Sequence, residues 1–368
     1  MLLRYNYYDT FKKGIIINKC GMKILSVGGM SGLSNTCLHR HWVLEKISDK
    51  IDVVNTREKQ QSTWYKVAHR LFQYGLPIRL PDNSDENKKI KNFINKTAHS
   101  PYDIVWIDKG LTIDPETLLY IKKVSPLTKI VSYSPDNMSL RHNQSQNFIK
   151  SIPLYDIHFT TKSYIFEDMK RLGAVRVEFT NKHYEQSFHY PRKLTQEEIF
   201  RLGGDVGFIG AWEKERCESI LYLADNGVKV KVFGDGKWNE YRNIENLEIL
   251  PGIYSEDYSK ALQAFNISLC FLRKMNSDQQ TSRTMEIPAC GGFMLAERTA
   301  EHQSLFNEDE EAVYFSSDEE LLAKCLYYLV HVEERNRIAE AGTLRCKVSA
   351  YSNEDAIKRM VKIVSNND

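Results

Sequence analysis

Short apolar runs alternate with amphipathic stretches along almost the whole chain, and this alternation limits the folds open to it. In the first half, the runs at 23–28, 52–55, 104–108, 129–134, 157–160 and 175–178 read as strands. The stretches at 33–47, 64–74, 85–96, 115–124, 143–151 and 162–172 read as helices between them. Strands separated by helices need crossover connections, so the sheet is parallel and the class is α/β. The pattern breaks at 181–204, a polar and aromatic stretch with Pro191 and Gly203-Gly204 that reads as a linker. A second alternation follows, with strands at 205–209, 229–233, 247–250, 267–270, 292–295 and 312–315. Its helices are expected at 214–226, 254–264, 284–290, 301–306 and 318–330, and two more at 333–346 and 354–364. Asn353 is the expected cap of the last helix.

A chain of 368 residues fits two domains at about 100–200 residues each. The expected layout is an extension at 1–21, a first Rossmann-like domain at 22–190 and a second at 191–345. Residues 346–368 would then form a helix crossing back to the first domain. Residues 14–18 could instead form an edge strand within the extension. Two doubly wound sheets face each other across a cleft, and ligands bind such sheets outside the carboxyl ends of the strands.

Composition removes several partner classes. The net charge of +2 gives no global basic field, so nucleic acid is not expected as a partner. Seven cysteines are an odd number, and no two form a CxxC pair. That argues against a disulfide framework and a structural zinc site, and points to a reducing, cytoplasmic setting. No apolar run approaches the roughly 20 residues that span a bilayer, so no transmembrane segment is expected. The histidines have no metal spacing, and no metal or other cofactor is expected.

Four segments could carry chemistry. Gly28-Gly29-Met30-Ser31-Gly32 follows the first strand, where glycines let a ligand approach the backbone, but the spacing is not GxGxxG and a plain turn fits as well. Gly210 follows the first strand of the second alternation, and Lys214 and Arg216 lie where a cation could reach a diphosphate or simply face water.

The third segment is the richest. A buried strand ends in Arg273-Lys274, a polar loop carries Asp278, Thr281 or Ser282 can cap a short helix, and Arg283 and Glu286 sit on that helix before Gly291 ends it. Cations and helix N-terminal amides suit a diphosphate, and a carboxylate suits a ribose diol. The plainer alternative is a capped surface helix with an Arg283–Glu286 pair at i,i+3. The fourth segment, Ser134-Pro135-Asp136-Asn137, offers Asp136 as a general base or sugar-orienting acid, or is only a turn.

Glu286 and the small residues up to Gly291 resemble the second half of the Glu-x7-Glu signature of retaining glycosyltransferases of GT-B type, with Asp278 where the first Glu would stand. More widely the chain resembles the CgeB-like, or spore-maturation-protein-like, glycosyltransferases. The matching stretches include Ser134-Pro135-Asp136-Asn137, Phe159-Thr160-Thr161-Lys162, Val206-Gly207-Phe208-Ile209-Gly210, Phe271-Leu272-Arg273-Lys274 and the run from Thr281 to Glu297. The resemblance implies a GT-B fold and a nucleoside-diphosphate sugar donor, UDP before other nucleotides, held mainly by the second domain. Donor contacts would come from Gly210, Arg216, Arg273, Lys274, Asp278, Thr281, Arg283 and Glu286, with Asp136 as the first-domain acid. The resemblance does not fix the acceptor, which would be a glycan, a protein or a lipid-linked molecule. A nucleotide-sugar epimerase or hydrolase, or a GT-B-like coat protein without turnover, would use the same architecture.

Overall fold

The computed structural model describes residues 21–32 and 35–366. The expected extension, with its alternative edge strand, therefore falls outside the described residues except for Gly21, as do Leu33 and Ser34 at the start of the helix expected at 33–47.

The first sheet contains β1 (Lys23–Gly28), β2 (Lys50–Asn55), β3 (Ile104–Asp108), β4 (Lys129–Ser134), β5 (Ile157–Thr160) and β6 (Val177–Phe179). The second contains β7 (Gly204–Ile209), β8 (Val230–Phe233), β9 (Leu247–Leu250), β10 (Phe265–Cys270), β11 (Met294–Glu297) and β12 (Val313–Phe315). Their orders are β2-β1-β3-β4-β5-β6 and β12-β11-β10-β7-β8-β9. All pairings within them are parallel. Each order reverses once, between β1 and β3 and between β7 and β10. Such reversals splay the connecting loops apart and open a crevice at the carboxyl edge.

Strands β3 and β4 are buried on both faces, which is why they read as continuous apolar runs. The first sheet is sandwiched by two apolar clusters, one around Ile24, Trp106 and Phe159 and one around Leu25, Val105 and Ile107. The helix Asn353–Ser365 contributes Ala356, Ile357, Met360, Val361 and Val364 to the first of these. The end of the chain is thereby packed into the core that its beginning founds. Ser352, not Asn353, caps this helix by accepting from the Asp355 N–H. Asn353 instead donates to Glu185 and ties the helix to the segment between the sheets.

That segment holds a helix, Gln196–Leu202, where an irregular linker was expected. Thr195 and Glu198 form a capping box at its start, and only Leu202 is buried. Seven residues with one apolar anchor are too few to show a period.

The two halves meet through a polar seam. Lys162, just after β5, forms an ion pair with Asp278 from the loop after β10, and the two side chains are 1 % and 5 % exposed. Asn276 donates to the same carboxylate and accepts from the Asn137 N–H at 3.0 Å and Asn143 Nδ2 at 3.1 Å. Gln280 accepts from the Lys182 N–H and donates to Asn181.

Removing one member of a buried pair strands the other charge, which destabilises by about 3–5 kcal/mol. Asp278→Leu is therefore expected to lose stability on that scale in denaturant unfolding, and Lys162→Met/Asp278→Leu to recover most of it. A single variant within about 0.5 kcal/mol of wild type would contradict burial of the pair.

Candidate functional site

A cleft of about 460 Å³ opens at the carboxyl edge of the second sheet. The turns after β7, β8 and β9 contribute Gly210 and Ala211, Gly234 and Asp235, and Gly252 to Ser255. The helices Ser255–Ala264 and Ser282–Ala289 contribute Tyr258 and, at the start of the second, Ser282, Arg283 and Glu286. Thr36 and His39, from the first turn of the helix Thr36–Ile47, close it from the first domain with Phe188 and His189. A smaller recess of about 30 Å³ continues beside Glu286 and Ser282 towards Arg40, Tyr133, Pro135 and Lys182.

The helix Ser282–Ala289 is the centre of this arrangement. Thr281 is its N-cap, with its N–H donating to Thr284 Oγ1 at 3.0 Å. Gly291, at φ +84°, follows its end and lets the Gly292 N–H return to Ile287 O. Arg283 and Glu286 form no ion pair with each other. Glu286 accepts from the Tyr258 hydroxyl. Arg283 lies over the Phe208 ring, 5.3 Å from its centroid, and its buried Nε has no hydrogen-bond partner. Gly210 leaves room here for the guanidinium, since a Cβ on it would displace Arg283 Nη2 from its place.

Burial raises the Glu286 pKa, while Tyr258 and Arg283 pull it back down. His189 Nε2 lies 3.9 Å from Glu286 Oε1. The Glu185 N–H donates to His189 Nδ1, so the neutral ring carries its proton on Nε2, towards Glu286. Burial lowers the His189 pKa to about 3, which keeps the ring neutral.

The other residues named from sequence are placed differently. Arg216 is buried, and its guanidinium donates to Ala211 O, Leu272 O and Glu213, joining the turn after β7 to the end of β10. Arg273 shares Glu213, and Lys274 pairs with Glu297. Both of these cations are half-exposed. Asp278 is enclosed by Lys162 and Asn276. None of these four, nor Thr281, lines the cleft. Lys214 pairs with Glu218, so of the five cations expected near a diphosphate Arg283 alone has no ion pair among the described residues.

Asp136 follows Pro135 in the turn after β4 and pairs with Lys109. Burial would raise its pKa, but Lys109, Lys182 and Arg273 together bring it below the ordinary carboxylate value. In the first glycine-rich segment, a Cβ on Gly28 would strike Cys37, and one on Gly29 would meet Arg57, so these glycines admit protein side chains.

Several cleft residues went unassigned in the sequence. His39 stacks on Trp42 at 5.1 Å between ring centroids and leans on Phe188. Lys182 donates to Pro135 O at 2.9 Å. Burial, with Lys162 nearby, lowers the Lys182 pKa to about 7. His189 and Lys182 belong to the segment read as a linker. Its polar, aromatic composition is the one signal that it floors a cleft. Among the described residues, no group of three His, Cys, Asp or Glu side chains is placed to hold a metal ion.

Residues 214–362 match the profile of a glycosyl transferase-like family. No protein of curated function matches the chain in sequence. Solved structures match nearly its full length. HepE of Anabaena, in complex with UDP-glucose, is 11 % identical with a TM-score of 0.59, over 94 % of this chain and 99 % of its own. An α-glucosyltransferase in complex with UDP and DNA is 12 % identical with a TM-score of 0.63, over 94 % of this chain and 100 % of its own. A putative UDP-N-acetylglucosamine 2-epimerase from Listeria monocytogenes is 12 % identical with a TM-score of 0.54, over 94 % and 96 %. At these identities the likeness is one of fold, and the fold is GT-B.

Folded Lys182 holds its proton less tightly than an ordinary lysine at 10.5, so between pH 7 and 10.5 the unfolded chain binds more proton and stability rises with pH. Lys182→Met removes that slope. Denaturant unfolding across this range is expected to shift in favour of wild type relative to the variant as pH rises. A difference independent of pH would contradict an ammonium held in a desolvated recess.

Proposed function

We propose that the chain is a glycosyltransferase that takes a sugar from a nucleoside-diphosphate donor, UDP before other nucleotides, and passes it to an acceptor on the first-domain wall. The observation that carries this reading is Arg283. It is a cation with no ion pair among the described residues, at the first turn of a helix in a GT-B cleft, with a buried carboxylate one turn further on. Helix N-terminal amides and an unpaired guanidinium attract an anion. Glu286 keeps lone pairs free beyond the one that Tyr258 uses and can accept two ribose hydroxyls. The match of residues 214–362 to a glycosyl transferase-like profile supports the same reading.

In the transfer, the bond between the sugar's anomeric carbon and the diphosphate oxygen breaks, a bond to the acceptor oxygen forms, and the acceptor's hydroxyl proton passes to the departing diphosphate. Negative charge grows on the departing diphosphate, where Arg283 and the Ser282 and Arg283 amides stabilise it. Positive charge grows on the sugar. Asp136, held ionised by Lys109, suits electrostatic support of that charge better than proton abstraction, because its low pKa makes it a weak base. Arg273, half-exposed and close enough to lower the Asp136 pKa, is paired with Glu213 outside the cleft lining, which leaves Arg283 as the cation for a bound donor. Free, buried cysteines among the described residues fit a reducing cytoplasm.

A thermal-shift screen against UDP, GDP, ADP, CMP and dTDP tests the donor class. A nucleotide at about 100 times its dissociation constant adds roughly 2.7 kcal/mol. One nucleotide is expected to stabilise wild type. Arg283→Ala, which deletes a charge-assisted contact, should weaken that nucleotide about tenfold to a hundredfold. Asp136→Asn should bind it unchanged and turn over more slowly. Stabilisation that survives both Arg283→Ala and Glu286→Ala would place the nucleotide elsewhere.

A further inference from the structure

The helix Thr63–Gln73 is an addition to the doubly wound plan, since the helix Glu86–Lys96 already completes the crossover from β2 to β3. Its inner face, Tyr65, Ala68 and Phe72, is buried. It is fastened to the loop after β4, where Arg141 Nε donates to Phe72 O at 2.7 Å and His69 Nε2 contacts Gln144 O at 3.2 Å. That loop leaves the carboxyl edge of the first sheet, so the helix stands on the same edge as the cleft.

Its outer face is unusual. Trp64, Val67 and Tyr74 fall on one stripe at helical spacing and are 54 %, 42 % and 76 % exposed, with Leu76 just beyond at 47 %. Lys66 and Arg70 flank the stripe, and the helix has no acidic residue. Lys66, Arg70 and Arg141 form no ion pair among the described residues. Of the acids on either side of the helix in sequence, Glu58 pairs with Lys89 and Asp85 with Lys59, while Glu86, which acts on the inward-facing Tyr65, is itself buried. A second exposed apolar group, near Tyr327, Val330 and Val332, sits among Glu333 and Glu334 and lacks this charge bias.

We propose that the outer face of this helix docks the protein on an anionic lipid surface. Exposed aromatic rings beside unpaired cations fit the boundary between headgroups and acyl chains, where the ring enters and the cation meets phosphate. No helix among the described residues is long and apolar enough to cross a membrane, so the contact is peripheral. The docking stands apart from the transfer reading. Its consequence, that the acceptor is carried by a lipid, rests on that reading.

Co-sedimentation with vesicles of phosphatidylcholine, alone or with a third phosphatidylglycerol, tests the proposal on the full chain. Wild type is expected to pellet with the anionic vesicles, less so as salt is raised, and to stay in solution with neutral ones. Lys66→Glu/Arg70→Glu should lower partitioning by about thirtyfold or more. Trp64→Ser/Tyr74→Ser should lower it about tenfold. Unchanged thermal unfolding shows that these variants are folded, and Tyr327→Ser/Val330→Ser should bind like wild type. The proposal is overturned if wild type ignores anionic vesicles, or if neither helix variant weakens binding. It is equally overturned if the helix variants change the sedimentation coefficient of the protein alone, which would make the face a contact between two copies. UDP binding measured on the same samples reads the donor cleft separately, so wild type that ignores anionic vesicles yet binds UDP sinks the docking alone.

Discussion

The ion pair between Lys162 and Asp278 sets the distance between the two sheets, and the cleft depends on that distance. Both groups are almost fully removed from water, a position tolerated only when each charge is met by its partner and by further hydrogen bonds. Asn276 supplies one of these and extends the seam to Asn137 and Asn143. The loop that carries Asp278 leads directly into the helix Ser282–Ala289. A contact that joins the halves therefore also fixes where the helix N-terminus points.

Charge around the cleft is divided by the same logic. Glu213 engages Arg216 and Arg273, Glu297 engages Lys274, and Asp278 engages Lys162. These pairs hold the turns after β7 and β10 in place. Arg283 is left facing the cavity over an aromatic ring and a glycine. A half-buried cation with no ion pair among the described residues and an unsatisfied Nε gains a partner once an anion arrives, which is a physical reason to regard the site as a receptor for one. The return of the helix Asn353–Ser365 to the first core adds a second tie, far along the chain from the polar seam.

Much of the architecture could be read in the residues. Strands β1, β3, β4 and β5 lie where the apolar runs placed them, because parallel strands covered on both faces leave an uninterrupted apolar signature, and the edge strand β9 also lies where its shorter run placed it. The helix Gln196–Leu202 could not be found by period, being too short, although Thr195 and Glu198 carried its capping signature. Within the site, the cluster from Arg273 to Glu286 was visible as a concentration of charge, but the partner of each charge was not. Whether Arg216 faces a ligand or Leu272 O is decided by a strand 56 residues away. Asp278 finds its cation in the other domain for the same reason. Lys182 and His189 were hidden by their place in an apparent linker, since a linker's role follows from the sheets on either side of it.

The most direct test of the account is a crystal structure of the protein soaked with UDP. The account predicts the diphosphate at the first turn of the helix Ser282–Ala289, within hydrogen-bonding distance of the Arg283 guanidinium, and the ribose hydroxyls on Glu286 beside Tyr258. A nucleotide seated instead on the Gly28 to Ser31 turn of the first domain, with Arg283 untouched, would contradict it.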